Sequence, residues 1–377
     1  MTYNFEKPTN RKNNNSIKWG KFPENVLPLW VADMDFESPV EIKEALQKLI
    51  DHQIYGYAGA PAELYDVIIE RLEKRHHWKI KKEWIVLLPG LVPGLHASAR
   101  IFESKDLEVL TSIPVYFHLS LAGKYAGSPT AEVPFIWHNE RWEMDFTTMQ
   151  KQVKAETKVY MLCNPHNPNG RVFTKPELEK LSAFCLKNNL VLVSDEIHCD
   201  LVLDKTATHI SVASINKEIE QRSITLLAPS KTFNIAGLGG SMAIIPNDDL
   251  RKRFQDAGFG IMPHMNAFAC QSMMAAYKYG EPWRSEMVNY LKANHDYLMT
   301  EINKIPSLTM KPLEATYLAW VHCDRVDITN LETYLLKFGL GVSGGHQFKG
   351  NAYFRLNFGT QRKNLELAVE RLKKAFV

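Results

Sequence analysis

The chain has 377 residues, 45% hydrophobic and 23% charged, with a formal net charge of +3. That composition suits a globular protein of one large and one smaller domain, and its weak, scattered charge argues against a nucleic-acid track. Five cysteines without CxxC spacing, no apolar run of roughly 18 residues and no basic-then-apolar leader point to free thiols in a soluble, cytoplasmic protein without a membrane span.

Residues 1 to about 40 are polar and then proline-rich, with Pro23, Pro28 and Pro39, and read as an extended arm rather than a packed helix. Glu41 to Gln53 and Ala62 to His76 carry apolar residues at helical spacing. From about residue 84, short β-branched runs alternate with helical stretches. The runs are Trp84 to Leu88, Leu107 to Thr111, Lys158 to Leu162, Leu190 to Ser194, Ile224 to Leu227 and Ser241 to Ile245. Several are apolar on both faces, which predicts a mostly parallel sheet covered by helices on both sides. Glu286 to Asn303 predicts a long amphipathic helix leading into a C-terminal α+β region. The expected organisation is α/β: an arm with part of a small domain over 1–45, a large domain over 46–285 and a small domain over 286–377.

In an open α/β sheet, ligands bind beyond the carboxyl ends of the strands, so the turns that follow the runs are the place to look for chemistry. After Leu88, the turn around Gly90 enters a helix through Leu91 and Val92. Its free N–H groups suit a phosphate, although such turns are also common without one. After Thr111 comes Tyr116, either a ring to stack on a flat ligand or a partly buried core residue. After Leu162, Asn164-Pro165-His166-Asn167-Pro168-Asn169-Gly170 forms a constrained loop in which Asn167 can donate to an oxygen. After Ser194 comes Asp195, a carboxylate at the end of an apolar strand, costly to bury unless paired. A protonated ring nitrogen would pair it; an N-cap role is the alternative, and a metal site with His198 and Asp200 lacks a completing cluster. After Leu227 comes Ser230-Lys231-Thr232, which presents one amine at the sheet edge, where it can form a Schiff base with a carbonyl cofactor. Together these groups are what a phosphorylated pyridine aldehyde requires.

With these motifs in this order, the chain resembles the fold-type I pyridoxal-phosphate enzymes, the aspartate aminotransferase-like transferases. Pro28-Leu29-Trp30-Val31-Ala32-Asp33-Met34-Asp35-Phe36 is similar to the signature of the MalY/PatB branch, the cystathionine β-lyase-like C–S lyases. Tyr55-Gly56-Tyr57 and Tyr353-Phe354-Arg355-Leu356-Asn357-Phe358 agree with it. The resemblance implies roles. Lys231 would hold pyridoxal 5'-phosphate and later act as general base. Asp195 would pair with the ring nitrogen, Asn167 and His198 would lie by the ring oxygen, and Tyr116 would stack on the ring. Leu91, Val92 and Ser230 would hold the phosphate, with Tyr55 or Tyr57 reaching in from the other subunit of a homodimer. Arg355, with Asp33 and Tyr116, would bind the substrate, Arg355 through its α-carboxylate. The chain departs from the pattern at Gly239, where many aminotransferases carry a phosphate-binding Arg, and at Asn169, where Thr is usual.

The activity so implied is α,β-elimination of cystathionine or another cysteine S-conjugate to a thiol, pyruvate and ammonia, within sulfur amino-acid metabolism. An aminotransferase would use the same residues, and a cofactor-binding regulatory protein is a third reading. Trp30 to Phe36, Phe259 to Met265 and Gly344 to Phe348 are expected to line the entrance as a partly apolar pocket for the leaving thiol. Phe259, Ile261 and Met262 suit a core or dimer interface equally well.

Overall fold

The computed structural model describes residues 3–11, 14–103, 105, 107–325 and 327–377. Met1 and Thr2, at the start of the N-terminal stretch, lie outside the described residues. The centre is a seven-stranded sheet in the spatial order Ile85–Leu88, Ser241–Ile244, Ser223–Leu227, Val191–Asp195, Thr157–Cys163, Glu108–Ile113, Thr130–Pro134. Ser241–Ile244 runs opposite to the other six strands. All six runs expected from the sequence are strands of this sheet. The seventh, Thr130–Pro134, was not foreseen: it is an edge strand, only partly buried and closed by a proline, so it lacks the two-sided apolar signal.

The central strands are apolar on both faces because both faces are covered. Along Thr157–Cys163, Val159, Met161 and Cys163 join Leu95, Leu119 and Phe254 of one helical layer. The alternate residues Tyr160 and Leu162 join Leu178, Leu181 and Phe184 of the helix Lys175–Lys187 on the other face. The period-two alternation thus feeds two separate cores.

The helix Glu281–Ile302 buries Trp283, Met287, Tyr290, Leu291, Asn294, His295, Leu298 and Ile302, a stripe at helical spacing. Beyond it lies an antiparallel four-stranded sheet in the order Leu308–Met310, Leu318–Cys323, Tyr353–Asn357, Ser343–Gly344. The N-terminal segment differs from the expected extended arm. It contains the short helix Ile17–Gly20, buries Phe5 and Lys18, and pairs Leu27–Pro28 in parallel with Leu340–Gly341. All five cysteines are buried and free. Among the described residues no helix is long and apolar enough to cross a membrane.

Candidate active site

The carboxyl ends of the parallel strands converge because their turns bond to one another. Asn164 N–H donates to Asp195 O at 2.9 Å, and Glu196 N–H to Leu226 O at 2.9 Å. Tyr116 N–H donates to Asn167 O at 3.0 Å, and Val115 N–H to Phe348 O at 3.1 Å, which ties the C-terminal region to the same edge. Between them lies a cavity of about 340 Å³. Leu91, Val92, Tyr116, Asn167, Asp195, His198, Ser230, Lys231 and Arg355 all line it. Residues from six separate turns or strands are thus brought to one place.

Lys231 donates from Nζ to the Ala32 carbonyl at 2.8 Å. Burial draws its amine below the usual lysine range; Asp33 opposes that shift and Arg355 adds to it. Arg355 is buried and makes a fork: Nη1 donates to Asn167 Oδ1 at 2.9 Å and Nη2 to Trp30 O at 3.0 Å. Its guanidinium lies 4.5 Å from the Phe348 ring centroid, and its Nε has no partner. Burial lowers it to about 10, which leaves it cationic at neutral pH. Asp195 is pushed up to about 7 by burial, against a lowering hydrogen bond from Ile197 N–H at 3.1 Å. His198 is drawn down to about 3 by burial, helped by Lys231 and Arg355, and its Nδ1 is buried without a partner. Burial also raises Tyr116, to about 12.

These groups fit pyridoxal 5'-phosphate. A carboxylate buried to 2% exposure, with one backbone N–H as its bond, lacks the cation that would hold it ionised, and a protonated pyridine nitrogen is that cation. Asn167 spends its amide oxygen on Arg355, which leaves its NH₂ to donate to a ligand oxygen. The helix Leu91–Ala99 begins after Gly90 without a side-chain cap, so its first N–H groups remain for an anion, with the Ser230 hydroxyl on the same cavity wall. The Gly239 departure has a steric cause. Its φ of +62° favours glycine, and a Cβ there would stand 2.8 Å from the Pro89 carbonyl oxygen. An arginine at that position does not fit this turn, which leaves backbone N–H groups and the Ser230 hydroxyl as the donors on this wall.

Three expected site residues are not on the cavity wall. Tyr55 and Tyr57 project into solvent, 65% and 112% exposed. Asp33 directs its carboxylate to Arg11 in a two-pronged pair at 2.8 and 3.0 Å. Of the expected entrance segments, Trp30 to Ala32 and Gln347-Phe348 line the cavity. Phe259 and Ile261 do not: they stand exposed, and Ile261 and Met262 line a different apolar groove beside His96 and His118. Asp200 bonds Arg71 at 2.7 Å and Arg75 at 2.9 Å, so it is already neutralised and turned from Asp195. Sequence reasoning missed the Trp30 and Ala32 carbonyls, because main-chain acceptors leave no mark in side-chain identity. It also missed Tyr317, whose buried hydroxyl has no partner and whose ring meets His198 edge-on at 6.4 Å.

The model of the family described as aminotransferase class I and II matches residues 24–372. The cystathionine beta-lyase PatB of Bacillus subtilis (strain 168) is 34% identical over 99% of this chain and 99% of its own length. The crystal structure of OvoB superposes with a TM-score of 0.97 and 38% identity, covering 100% of this chain and 99% of that one. The PLP-bound C–S lyase from Staphylococcus hominis superposes with a TM-score of 0.93 and 31% identity, over 100% of this chain and 99% of that one.

Proposed function

The chain belongs to the class I and II aminotransferase family, and on that premise we propose that it is a pyridoxal-phosphate-dependent C–S β-lyase. Its reaction takes a cysteine S-conjugate such as cystathionine and water to a thiol, pyruvate and ammonia. The observation that carries the reading is the meeting of Lys231, Asp195, Asn167 and Arg355 in one cavity of a chain similar along its whole length to proteins named as lyases.

When bound, pyridoxal 5'-phosphate supplies an electron sink conjugated to the substrate Cα. The rest follows from the side chains. Lys231 is the one lysine on the cavity wall among the described residues, and it provides the amine for the covalent link. Asp195 would hold the cofactor through its ring nitrogen and keep a proton there, since its own carboxylate is stable in that place only beside a cation. Arg355 takes the substrate carboxylate on the N–H groups that Asn167 and Trp30 leave free, and so fixes which Cα bond is presented. The freed Lys231 amine, kept below the usual lysine range by burial, removes the Cα proton. The Cβ–S bond breaks, the sulfur takes the bonding pair and the proton that Lys231 removed and leaves as thiol, and water releases pyruvate and ammonia from the remaining three-carbon unit. Trp30, Phe117 and Phe348 give the cavity apolar walls suited to the thioether.

The working unit is a cytoplasmic homodimer whose large part spans 46–285 and whose small part spans 286–377. Buried free thiols support the compartment, and the exposed Tyr55 and Tyr57 support a second subunit. The test is incubation with cystathionine or an S-alkyl cysteine and no keto acid. Thiol and pyruvate in equal amounts are expected. Turnover that depends on added keto acid overturns the reading in favour of transamination.

A further inference from the structure

Trp30 to Phe36 forms no helix or strand, yet its backbone is held at almost every step. Asn357 Nδ2 donates to Val31 O at 2.6 Å and Asp33 O at 2.8 Å. The Asn234 amide accepts from Met34 N–H at 3.0 Å and donates to Met34 O at 2.9 Å and Phe36 O at 2.8 Å. Beneath the segment lies an ion pair, Lys18 Nζ to Asp35 Oδ2 at 2.7 Å, with side chains 0% and 2% exposed. The same ammonium donates to Asp33 O at 2.9 Å. The other Asp35 oxygen accepts from Trp19 Nε1 at 2.8 Å and Arg11 Nη1 at 3.2 Å.

A pair buried this deeply carries a desolvation cost that apolar packing would avoid, so it suits fixing one geometry better than adding stability. What it fixes is two carbonyls on the cavity wall. Trp30 O accepts from Arg355 Nη2 and from Ser343 Oγ, and Ala32 O accepts from Lys231 Nζ.

We propose that Lys18 and Asp35 are positioning residues: their buried pair sets the strap so that Ala32 O holds the Lys231 amine whenever that amine is not covalently engaged, while Trp30 O holds Arg355. The role of Lys231 in this rests on the function proposed above. A carbonyl suits the task. It takes one N–H of the amine and leaves the lone pair free for a proton, whereas a directly bonded carboxylate would favour the ammonium. The charged groups facing Lys231 are Asp33 from the strap, Asp195 from the strand end and Arg355 from the C-terminal sheet.

The test uses the full-length cofactor-free protein with Lys18→Met/Asp35→Asn, and separately Arg11→Met, which leaves the Lys18–Asp35 pair in place and removes the bonds to Asp33, Met34 O and the other Asp35 oxygen. The readouts are melting temperature and the rate of pyridoxal 5'-phosphate capture by Lys231 across pH, followed by absorbance. In the double variant, capture is expected to slow by about tenfold or more, because the amine loses its set position. The pH midpoint of capture is expected to move down by about half a unit or more, because the ammonium loses its acceptor. Arg11→Met should slow capture by less, while its midpoint moves up, because the variant also leaves the Asp33 carboxylate unpaired beside Lys231. A purely structural role predicts a lower melting temperature with capture rate and midpoint unchanged, and that result in the folded variants overturns the proposal. Should the double variant not fold, the capture rate of Arg11→Met decides alone, and a rate equal to wild type overturns the proposal. Capture requires no lyase substrate, so wild-type protein that captures cofactor yet releases no thiol sinks the proposed function and leaves this inference standing.

Discussion

Asp195 sits buried at a strand end, 2% exposed, and its raised carboxyl makes stability without cofactor depend on pH. The folded group holds its proton up to about pH 7, whereas the unfolded group releases it near the ordinary aspartate value of 3.8. The stability this contributes is therefore complete below the unfolded value and is lost as pH rises through the folded one. Denaturant titrations of the cofactor-free protein at pH 5.5 and 7.5 should show that loss, at up to about 1.4 kcal/mol per pH unit. Asp195→Asn should remove this part of the slope, and bound cofactor should also remove it by supplying the partner cation. An unchanged slope in the variant would mean that the carboxyl is not the titrating group. At this scale part of the proposed site was legible: Lys231, Asp195 and Asn167, which line one cavity, each follow a run whose pattern is local. Arg355 was known only through its resemblance to a family pattern, because nothing near it in the chain marks it as facing Asn167. The pairing of Asp33 with Arg11 was not legible for the same reason, since Arg11 lies on a segment with no periodic signal.

The turns show how far element patterns carry. Period-two and helical spacing located six strands and the long helix Glu281–Ile302, because burial of one or both faces writes itself into consecutive residues. The partly exposed edge strand Thr130–Pro134 wrote no such record. Gly239 ends a short turn with φ +62° and ψ 112°, against the Pro89 carbonyl. Gly239→Ala should cost about 1–3 kcal/mol in chemical denaturation, because that backbone region is close to glycine-only. It should also weaken pyridoxal 5'-phosphate binding, since Pro89 and Gly90 lead directly into the helix that offers its N–H groups. Stability equal to wild type would show that the turn relaxes without strain.

At the scale of the whole molecule, Tyr55 and Tyr57 project from the segment between the helices Val40–His52 and Ala62–His76, away from their own cavity. If each completes the partner's phosphate site, chains with Lys231→Ala and chains with Tyr55→Phe/Tyr57→Phe are each deficient alone. Mixed dimers regain one intact site. Co-assembly of equal amounts should restore about a quarter of wild-type thiol release, since half the dimers are mixed and each has one good site of two. No recovery, or a monomer in sedimentation, would count against the shared site.

The sequence by itself determined the strands and helices, the glycine and asparagine turns, and the presence at strand ends of an amine, a carboxylate and an amide. Those are local properties, set by which face of an element is apolar and which residues a tight turn tolerates. Only the tertiary structure decided that Arg355 meets Asn167, that Lys18 is fully buried on Asp35, and that the Trp30–Phe36 strap offers its carbonyls to Arg355 and Lys231. The physical reason is that periodicity reports how an element meets solvent and carries no information about which distant element fills the other side. A lysine reads as a surface charge until a carboxylate from another part of the fold makes its burial possible.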